Sequence, residues 1–509
     1  MQLPGPPVKN FFLGNIADFP KDRSLRFGFM MALVEKYGDS GIIRLMVGPK
    51  PVIIVTGPKY AREIMSTSRH TSKSSIYDNI RPWLGLGLLT SQGEKWKIMR
   101  RLTTPAFHFE VLQRFLEVMN EQSSVLLDRI ASQSTMGNKF DVFELITACA
   151  LDIICETAMG KKVGAQNITG HTPYVQAVYD MSQSILARNE NPLYTNDFVY
   201  SLSSQGRVAK QNLKILHDFT NLVIRERKAS IQAGVTASQG EEDHAPRRPA
   251  FLDMLLKAQA DGEGISDENI REEVDTFMFE GHDTTSASMA WTLQLLGQHS
   301  EIQERLYEEI REVMGDSKIV TYEMLSQFHY LEMVLKESLR LYPSVPGIGR
   351  VLTEDLDVEG VTVPAGTDVN IGINAIHHNP LLWTAPEKFD PERWTPENSE
   401  GRDPYQYVPF SAGPRNWSVP LSSSFDSLGE TCPKQPPLFA IFFLPFAASA
   451  RSSPRTRNAS SLPTSSGVSR SLRSWKTQER SRSSSSALWV ASGSPPSQDL
   501  NRVQWRSLT

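Results

Sequence analysis

A run of polar residues interrupts a segment of the chain that is otherwise apolar. Glu280-Gly281-His282-Asp283-Thr284-Thr285 lies in a stretch with helical periodicity that continues to Leu296. A glycine and polar groups inside such a helix lower its stability, which indicates that the run has a use. Carboxyl, imidazole and hydroxyl groups are the side chains that transfer protons in enzymes. The alternative is a polar kink in a solvent-facing helix, and the apolar residues on both sides weigh against it.

Two further motifs place charged residues where they suit binding. Glu337 and Arg340 are three residues apart in Glu337-Ser338-Leu339-Arg340, so they share one helix face. Alone, such a pair is most simply a solvated ion pair. Trp96-Lys97-Ile98-Met99-Arg100 provides an indole N–H and a guanidinium, which are the donors that a carboxylate requires.

The fourth motif is Phe410-Ser411-Ala412-Gly413-Pro414-Arg415-Asn416, in which Gly413 allows a tight turn. Taken in chain order from Trp96 to Asn416, the four motifs resemble those of the cytochrome P-450 monooxygenases. The run from Glu280 to Thr284 is similar to that of the family 4 branch, whose members hydroxylate the chain ends of fatty acids. The resemblance covers roughly residues 3 to 416.

The resemblance implies roles for the polar run at the centre of the chain. Gly281 would let its helix open beside a haem group, and Asp283 and Thr284 would relay protons to iron-bound oxygen. Glu280 is at the position that, in this branch, can form an ester bond with a haem methyl group. These three roles are expectations carried over from the family motif.

The other motifs are expected to hold the cofactor and the fold around it. By resemblance, the haem propionates and the loop under the haem involve Trp96, Arg100, Arg350, Phe410, Gly413 and Arg415. Arg393, in Phe389-Asp390-Pro391-Glu392-Arg393-Trp394, would complete a buried network with Glu337 and Arg340, which suits planar guanidinium groups. The nearby basic side chains of Lys95, Lys97 and Arg101 are either the docking patch of an electron-donating flavoprotein or a solvated face.

The sequence departs from the family at one decisive position. Trp417 stands where the family has the cysteine whose thiolate binds the iron and helps to split the O–O bond. An indole N–H only donates a hydrogen bond, so Trp417 cannot replace that ligand, and no metal ligand is present at this position. Cys149 and Cys155 lie in an apolar helical run and are expected to be inert core thiols. Cys432 lies in a low-complexity tail.

Two functions follow from these motifs. The first is a haem-thiolate monooxygenase that uses O2 and NADPH, through an NADPH-cytochrome reductase, to hydroxylate fatty-acid-like or other lipophilic substrates. The second is a catalytically inactive product without haem, because the axial cysteine is missing. A helical scaffold unrelated to haem would require four ordered motifs to be coincidental.

Composition excludes several other classes of protein. The net charge of −4 argues against a nucleic-acid-binding chain, and three cysteines are too few for a disulfide framework. No run reaches the roughly 18 to 20 apolar residues that span a bilayer. The resemblance implies the cytosolic face of the endoplasmic reticulum. Because the sequence starts at the Pro-rich segment 3–7, which follows a membrane anchor in the family, we expect such an anchor upstream, with peripheral membrane contact as the alternative.

Periodicity predicts a mainly α fold with small β-sheets, the fold of the cytochromes P-450. Residues from about 20 to 345 are predicted to be helical, with a surface loop near 239–248. Helices are expected to begin at Ser266 and at Ser300, the latter with a capping box. A third helix, which carries Glu337, is expected to end before Pro343 and to place on one face Leu331, Val334, Leu335, Ser338 and Leu339. Two strands, Val361-Thr362-Val363 and Val369-Asn370-Ile371, are predicted to form one small sheet.

The character of the chain changes after Trp417. We assign residues 1–417 to an incomplete P-450 domain and 418–509 to a serine- and arginine-rich tail. Trp is encoded by TGG and Cys by TGC or TGT. An intron that begins with GT and is retained after the first two bases, TG, would therefore convert the cysteine codon into a tryptophan codon. Splicing there would restore a cysteine codon, and the codons permitted for Ala448 onward, read in the shifted frame, can spell a continuation that resembles the family's helix after the cysteine. We therefore interpret the tail as a retained intron plus a frameshifted exon, replacing the end of the haem loop and the helix after it.

Overall fold

A computed structural model describes residues 3–10, 12–107, 109–135, 140–233 and 250–416. The loop predicted near 239–248, Trp417 and the tail 418–509 lie outside these residues, and so does Cys432. The described part is mainly helical with two small sheets, as the sequence predicts.

Its helices have the following bounds: α1 (Arg26–Tyr37), α2 (Pro58–Met65), α3 (Arg81–Leu84), α4 (Gly93–Thr103), α5 (Phe109–Thr135), α6 (Val142–Thr157), α7 (Pro173–Glu190), α8 (Asp197–Leu202), α9 (Ser204–Gln232), α10 (Phe251–Ala260), α11 (Asp267–Gln298), α12 (Ser300–Met314), α13 (Tyr322–Leu325), α14 (His329–Leu341), α15 (Ile373–His377) and α16 (Pro396–Ser399). Short 3-10 turns include Pro391–Trp394 and Gly413–Arg415.

The strands form two separate sheets. Their bounds are β1 (Ile42–Val47), β2 (Lys50–Val55), β3 (Ile348–Val351), β4 (Leu356–Val358), β5 (Val361–Val363) and β6 (Asp368–Ile371). One sheet has the order β1-β2-β6-β3, in which β2 and β6 are parallel and the other neighbours are antiparallel. The other sheet is the antiparallel hairpin of β4 and β5. The two predicted strands exist, but β5 and β6 belong to different sheets, so the prediction of one sheet was wrong.

The helical prediction for residues 20 to 345 was wrong at β1 and β2. These strands are consecutive and antiparallel, with Ile42 paired with Val55 and Val47 with Lys50. A short apolar run does not distinguish a buried strand from a buried helix by its period alone. The available signals were the Gly48-Pro49 turn and the β-branched residues of β2, which favour a strand.

Both predicted helix starts are confirmed, but only the first has a side-chain cap. Ser266 caps α11, and its hydroxyl accepts the Asn269 N–H at 3.1 Å while the Asn269 side chain accepts the Ser266 N–H. This confirms the start of α11. α12 begins at Ser300, as predicted, but the capping box predicted there was wrong: His299 is at the N-cap position, and no side chain forms a capping hydrogen bond.

The helical core surrounds α11 and the sheet has a smaller core of its own. The side chains predicted for one face of α14, Leu331, Val334, Leu335, Ser338 and Leu339, are all buried. Gly281 lies where α11 crosses α6, and a Cβ atom there would be 2.8 Å from the Ile154 Cδ1 atom. The glycine therefore allows the two helices to approach closely.

Candidate active site

The polar run occupies the middle of α11 and is enclosed by the helical core. Asp283 is only 8% exposed, and no described residue donates a hydrogen bond to its carboxyl group. Burial alone raises the Asp283 pKa to about 7. The Glu280 Oε1 atom is buried without a hydrogen-bond partner, and burial raises the Glu280 pKa to about 8, against the opposing charges of Lys73 and Arg100. Both groups can therefore be protonated near neutral pH.

Thr284 connects α11 to the chain that follows α14. Its hydroxyl donates to the Glu280 carbonyl at 2.7 Å, one turn back, and its own carbonyl accepts the Ser344 hydroxyl at 2.8 Å. α11 is continuous from Asp267 to Gln298, so the opening of the helix expected at Gly281 is not observed. Gly281 also packs closely against α6, a contact that the motif did not indicate.

Glu337, Arg340 and Arg393 come together in one network. Arg340 forms a fork with Glu337, with Nε and Nη2 each 2.9 Å from a carboxylate oxygen, and both residues are fully buried. Arg393 Nε donates to Glu337 Oε1 at 3.2 Å. Trp394 Nε1 donates to Glu337 Oε2 at 3.0 Å, a contact that the motifs did not indicate. A solvated surface pair is therefore excluded for Glu337 and Arg340.

The loop before Trp417 requires its glycine for two reasons. Gly413 has φ +68°, and a Cβ atom there would lie 1.8 Å from the Met65 carbonyl oxygen at the end of α2. Beside it, Arg415 donates to the Ser91 carbonyl, and Phe410 packs against the helical core. The turn thus places the chain before position 417 directly against α2 and the segment before α4.

We predict that Gly413→Ala destabilises the protein much more than Gly401→Ala does. Gly401 has a similar φ of +71°, but a Cβ atom there would have nothing within 4 Å, so its substitution should cost only about 1 kcal/mol of backbone strain. At Gly413 the added methyl group also collides with backbone. Urea-induced unfolding of both variants measures the difference, and equal losses would show that crowding by Met65 has no effect.

Four predicted cofactor-binding residues form a cationic surface next to α11. The Arg415 guanidinium lies 4.6 Å from the ring centroid of Trp96, and Arg100 Nη2 lies 3.4 Å from the Asn416 carbonyl oxygen. Arg350 is buried, with Nη1 2.9 Å from the Gly349 carbonyl oxygen. Burial lowers the pKa of all three arginines, and the Arg350 charge lowers that of Arg415 further, to about 9.

Two residues near this surface were not identified from the sequence. Lys73 lies with its Nζ atom 4.5 Å from the ring centroid of Tyr77, and its pKa is lowered by burial and by the charges of Arg350 and Arg415. Tyr77 is buried, and its hydroxyl accepts the Gly349 N–H at 3.4 Å. No motif marked either residue, because a lone lysine or tyrosine in a loop carries no spacing signal.

The basic residues around Trp96 are partly neutralised. Lys95 Nζ lies 2.7 Å from the buried carboxylate of Glu272, and Lys97 Nζ lies 2.7 Å from Glu94. Arg101 is exposed on α4. Lys95 therefore has an internal partner, which weakens the interpretation of the three residues as one docking patch.

The arrangement fits the organic part of a haem group but not its iron ligand. Buried arginines next to an unpartnered carboxyl require acidic partners, and the two carboxylates of a haem provide them. The Arg415 Nε atom, for example, is buried without a hydrogen-bond partner. Trp417, at the ligand position, has no thiolate group that could bind the iron. Cys149 and Cys155 are buried in α6, and burial raises the pKa of both thiols, which disfavours the thiolate form.

Two kinds of feature are absent from the described residues. Within residues 3–416, apart from the undescribed gaps, no cluster of three or more His, Cys, Asp or Glu side chains is placed to bind a metal ion. In the same ranges, no helix combines the length and the apolar character needed to cross a bilayer.

Known proteins match most of the chain. The family described as "Cytochrome P450" matches residues 4–416. "Cytochrome P450 4c3" of Drosophila melanogaster is 42% identical over 428 residues, covering 82% of this chain and 79% of its own. The rat and human proteins named "Cytochrome P450 4V2" are both 45% identical over 395 residues, covering 77% of this chain and 75% of their own.

A solved structure has the same fold. It is titled "Crystal structure of cytochrome P450DA heme domain" and superposes with a TM-score of 0.70 at 24% identity, covering 87% of this chain and 89% of its own. Cytochromes P450 contain haem iron, receive electrons from a reductase and act on lipophilic substrates. The chain belongs to the cytochrome P450 family, grouping with its family 4 members, and thus to the haem monooxygenases.

Proposed function

We propose that this protein, with a cysteine in place of Trp417, uses O2 and electrons from NADPH to hydroxylate fatty-acid-like or other lipophilic substrates. The electrons arrive through an NADPH-cytochrome reductase. The observation that carries the proposal is the enclosed polar run of α11 beside the cationic surface, of which Arg350 and Arg415 are buried. When bound, haem supplies the oxygen activation that no side chain provides.

The α11 residues supply the proton chemistry in this proposal. With a pKa of about 7, Asp283 populates both its protonated and its ionised form near neutral pH, so it can take up and release a proton. The Thr284 hydroxyl is the next group along the relay. The Glu280 carboxyl, whose Oε1 atom has no hydrogen-bond partner, is the group that would hold the haem through an ester bond to one of its methyl groups. Because that bond would replace a methyl C–H bond, its formation would require a two-electron oxidation, for which O2 activated by the haem would be the oxidant.

The remaining residues bind and support the cofactor. Trp96 and Arg100 would hold one haem propionate and Arg350 the other, while Phe410, Gly413 and Arg415 form the loop beneath the haem. The burial of Arg350 and Arg415 supports the assignment. The Glu337, Arg340 and Arg393 network would fix the chain on which this loop is built.

We further propose a location on the cytosolic face of the endoplasmic reticulum membrane. The support is the family resemblance and the lipophilic substrates that it implies, since such substrates concentrate in membranes. Fractionation of cells that express the protein tests this, and recovery outside the microsomal membranes would contradict it.

The second candidate function is that of an inactive product without haem. Two observations favour it for this sequence: Trp417 occupies the ligand position, and Cys149 and Cys155 are buried in α6 with raised pKa values. Both thiols are enclosed by the helical core. This candidate and the first therefore differ in the chain after Asn416, where the first has a cysteine at position 417.

We interpret residues 1–417 as one incomplete domain and 418–509 as the product of a retained intron and a frameshifted exon. The match of the family to residues 4–416 supports this boundary. The genomic sequence across Asn416 to Ser453 tests it directly. Absence of GT after the TG of codon 417, or of AG within the codons of Ala447 and Ala448, would exclude this origin.

The carbon monoxide difference spectrum of the reduced protein tests the proposed activity. The repaired chain carries the predicted spliced ending in place of the residues after Asn416. We expect the red-shifted Soret band of a thiolate-ligated haem in the repaired chain only. That band in the unrepaired chain would mean that another cysteine binds the haem iron. Its absence from both chains would contradict the haem-thiolate proposal.

A further inference from the structure

Two buried polar atoms on neighbouring side chains have no hydrogen-bond partner in the described part of the chain. They are His282 Nε2, on α11, and the Tyr174 hydroxyl, in the first turn of α7. The two ring centroids are 5.8 Å apart, and the residues are 0% and 2% exposed. A buried polar atom that loses water without gaining a partner is costly, so both atoms require one.

The two atoms have opposite hydrogen-bonding roles. His282 Nδ1 lies 2.5 Å from the Met278 carbonyl oxygen, which only accepts, so Nδ1 carries the proton of the ring. Nε2 is therefore an acceptor, and burial keeps the ring neutral by lowering the His282 pKa to about 4. Burial also holds the Tyr174 pKa well above its usual range, so the hydroxyl keeps its proton and is a donor. A single water molecule can join an acceptor and a donor that do not bond to each other directly.

Asp283 lies near the same hydroxyl group. The groups whose charges add to the effect of burial on the Tyr174 pKa are, in decreasing order, Asp275, Cys155 and Asp283. Asp275 has a donor of its own, since Arg271 Nη1 lies 2.6 Å from its carboxylate. Burial disfavours the thiolate form of Cys155. Asp283 is buried and receives no hydrogen bond from a described residue, so it is the acid that still lacks a donor.

Two further rings complete the surroundings of Tyr174 and Asp283. The Asp283 charge acts on Tyr179 of α7, whose hydroxyl donates to Thr147 of α6 at 3.2 Å. On the α9 side, the ring of Phe219 packs against Tyr174, with the centroids 4.6 Å apart. The Tyr179 hydroxyl already has a partner and the Phe219 side chain has no polar atom, so neither supplies the donor that Asp283 lacks.

We propose that one water molecule bridges the Tyr174 hydroxyl and His282 Nε2 and donates its second hydrogen atom to the Asp283 carboxylate. The water accepts a hydrogen bond from Tyr174 and donates one each to His282 and Asp283, so each of these groups gains a partner. Tyr174 and His282 are positioning residues, because they act on Asp283 through the water. The water site does not require haem, and its effect on hydroxylation rests on the proposed function.

The water should favour the ionised form of Asp283. A hydrogen bond donated to a carboxylate stabilises its charged form, so losing either residue that holds the water should raise the pH at which Asp283 ionises. We expect an upward shift of about one pH unit in Tyr174→Phe and in His282→Phe. The double variant should shift no further than either single variant, because both substitutions remove the same water.

Infrared titration of the full chain measures this shift without turnover and without iron. The carboxyl band that disappears in Asp283→Asn identifies Asp283, and its loss with rising pH gives the midpoint of ionisation. Tyr179→Phe is the matched control, since it removes a hydroxyl group from the same helix. That hydroxyl donates to Thr147, so the midpoint should not change. Circular dichroism reports folding, and Tyr174→Phe, which keeps the ring, is decisive if His282→Phe does not fold.

A crystal structure of the full chain tests the water directly. We expect one ordered water within hydrogen-bond distance of the Tyr174 hydroxyl, His282 Nε2 and the Asp283 carboxylate. A direct bond between Tyr174 and His282, or no such water, overturns the proposal. An unshifted midpoint in Tyr174→Phe, an equal shift in Tyr179→Phe, or shifts that add in the double variant overturn it as well.

The carbon monoxide spectrum decides the proposed function independently of these measurements. A thiolate band in the repaired chain, together with an unshifted Asp283 titration in Tyr174→Phe, would sustain the enzyme and reject the water. A shifted titration without a thiolate band in the repaired chain would sustain the water and reject the haem-thiolate enzyme.

Discussion

In the repaired chain, Asp283→Asn should lower the rate of substrate hydroxylation by about 10²- to 10⁴-fold, the usual contribution of a positioned acid or base. Asn is close in size to Asp but cannot release a proton. We expect NADPH consumption to fall much less than product formation, because reduction does not depend on this carboxyl group. Product and NADPH are measured in the same reaction.

The pH dependence of hydroxylation provides a second measurement of the same role. Burial raises the Asp283 pKa to about 7, so the carboxyl group is protonated below that pH and ionised above it. If the protonated form donates the proton, the rate falls as pH rises through about 7. Asp283→Asn has no such group, so the fall near pH 7 should disappear from its residual activity.

Asp261→Asn is the control for this substitution. Asp261 is exposed in the turn after α10, so its change to Asn should leave both the rate and the pH profile unchanged. An Asp283→Asn variant with the activity and pH profile of the control would contradict a proton-transfer role. It would leave Asp283 as a buried polar group of α11 without a catalytic function.

The sequence correctly predicted the features that are determined by residues close together in the chain. Ser266 is an example, because a capping residue and the helix after it are set by adjacent residues. The apolar face of α14 is another, since the helical period alone fixes which side chains share a face. These elements needed no knowledge of the rest of the fold.

The features that were missed depend on partners distant in sequence. β2 pairs in parallel with β6, more than 300 residues later, so its own short apolar run did not identify it as a strand. The close approach of Gly281 to Ile154 of α6 was likewise not predicted. Spacing along one segment contains no information about the helix that packs against it.

The same distinction between local and distant contacts applies to the candidate site. The polar run and the arginine motifs were recognisable because each occupies a few consecutive positions. Lys73 and Trp394 were not assigned, since their contacts with Tyr77 and Glu337 are formed only by the fold. Trp394 belongs to the same motif as Arg393, although its contact with Glu337 was not predicted, whereas Lys73 belongs to no motif.

Glu337→Gln should lower the free energy of unfolding by about 3 to 5 kcal/mol, the cost of removing one partner of a buried ion pair. The amide leaves Arg340, which is fully buried, without a counterion, and weakens the contact with Arg393. Arg340→Lys should also be destabilising, because an ammonium group cannot form the two-pronged contact with Glu337. Urea-induced unfolding measures each loss.

The same helix contains a matched control for this prediction. Glu332 pairs with Lys336 at 2.6 Å, but both side chains keep about 30% of their exposure, so Glu332→Gln should cost less than about 1 kcal/mol. The two substitutions make the same chemical change on α14 and differ in burial and in the number of arginines they affect. Equal losses would mean that Glu337 contributes no more than a surface acid, and that packing alone holds the chain around residue 393 against α14.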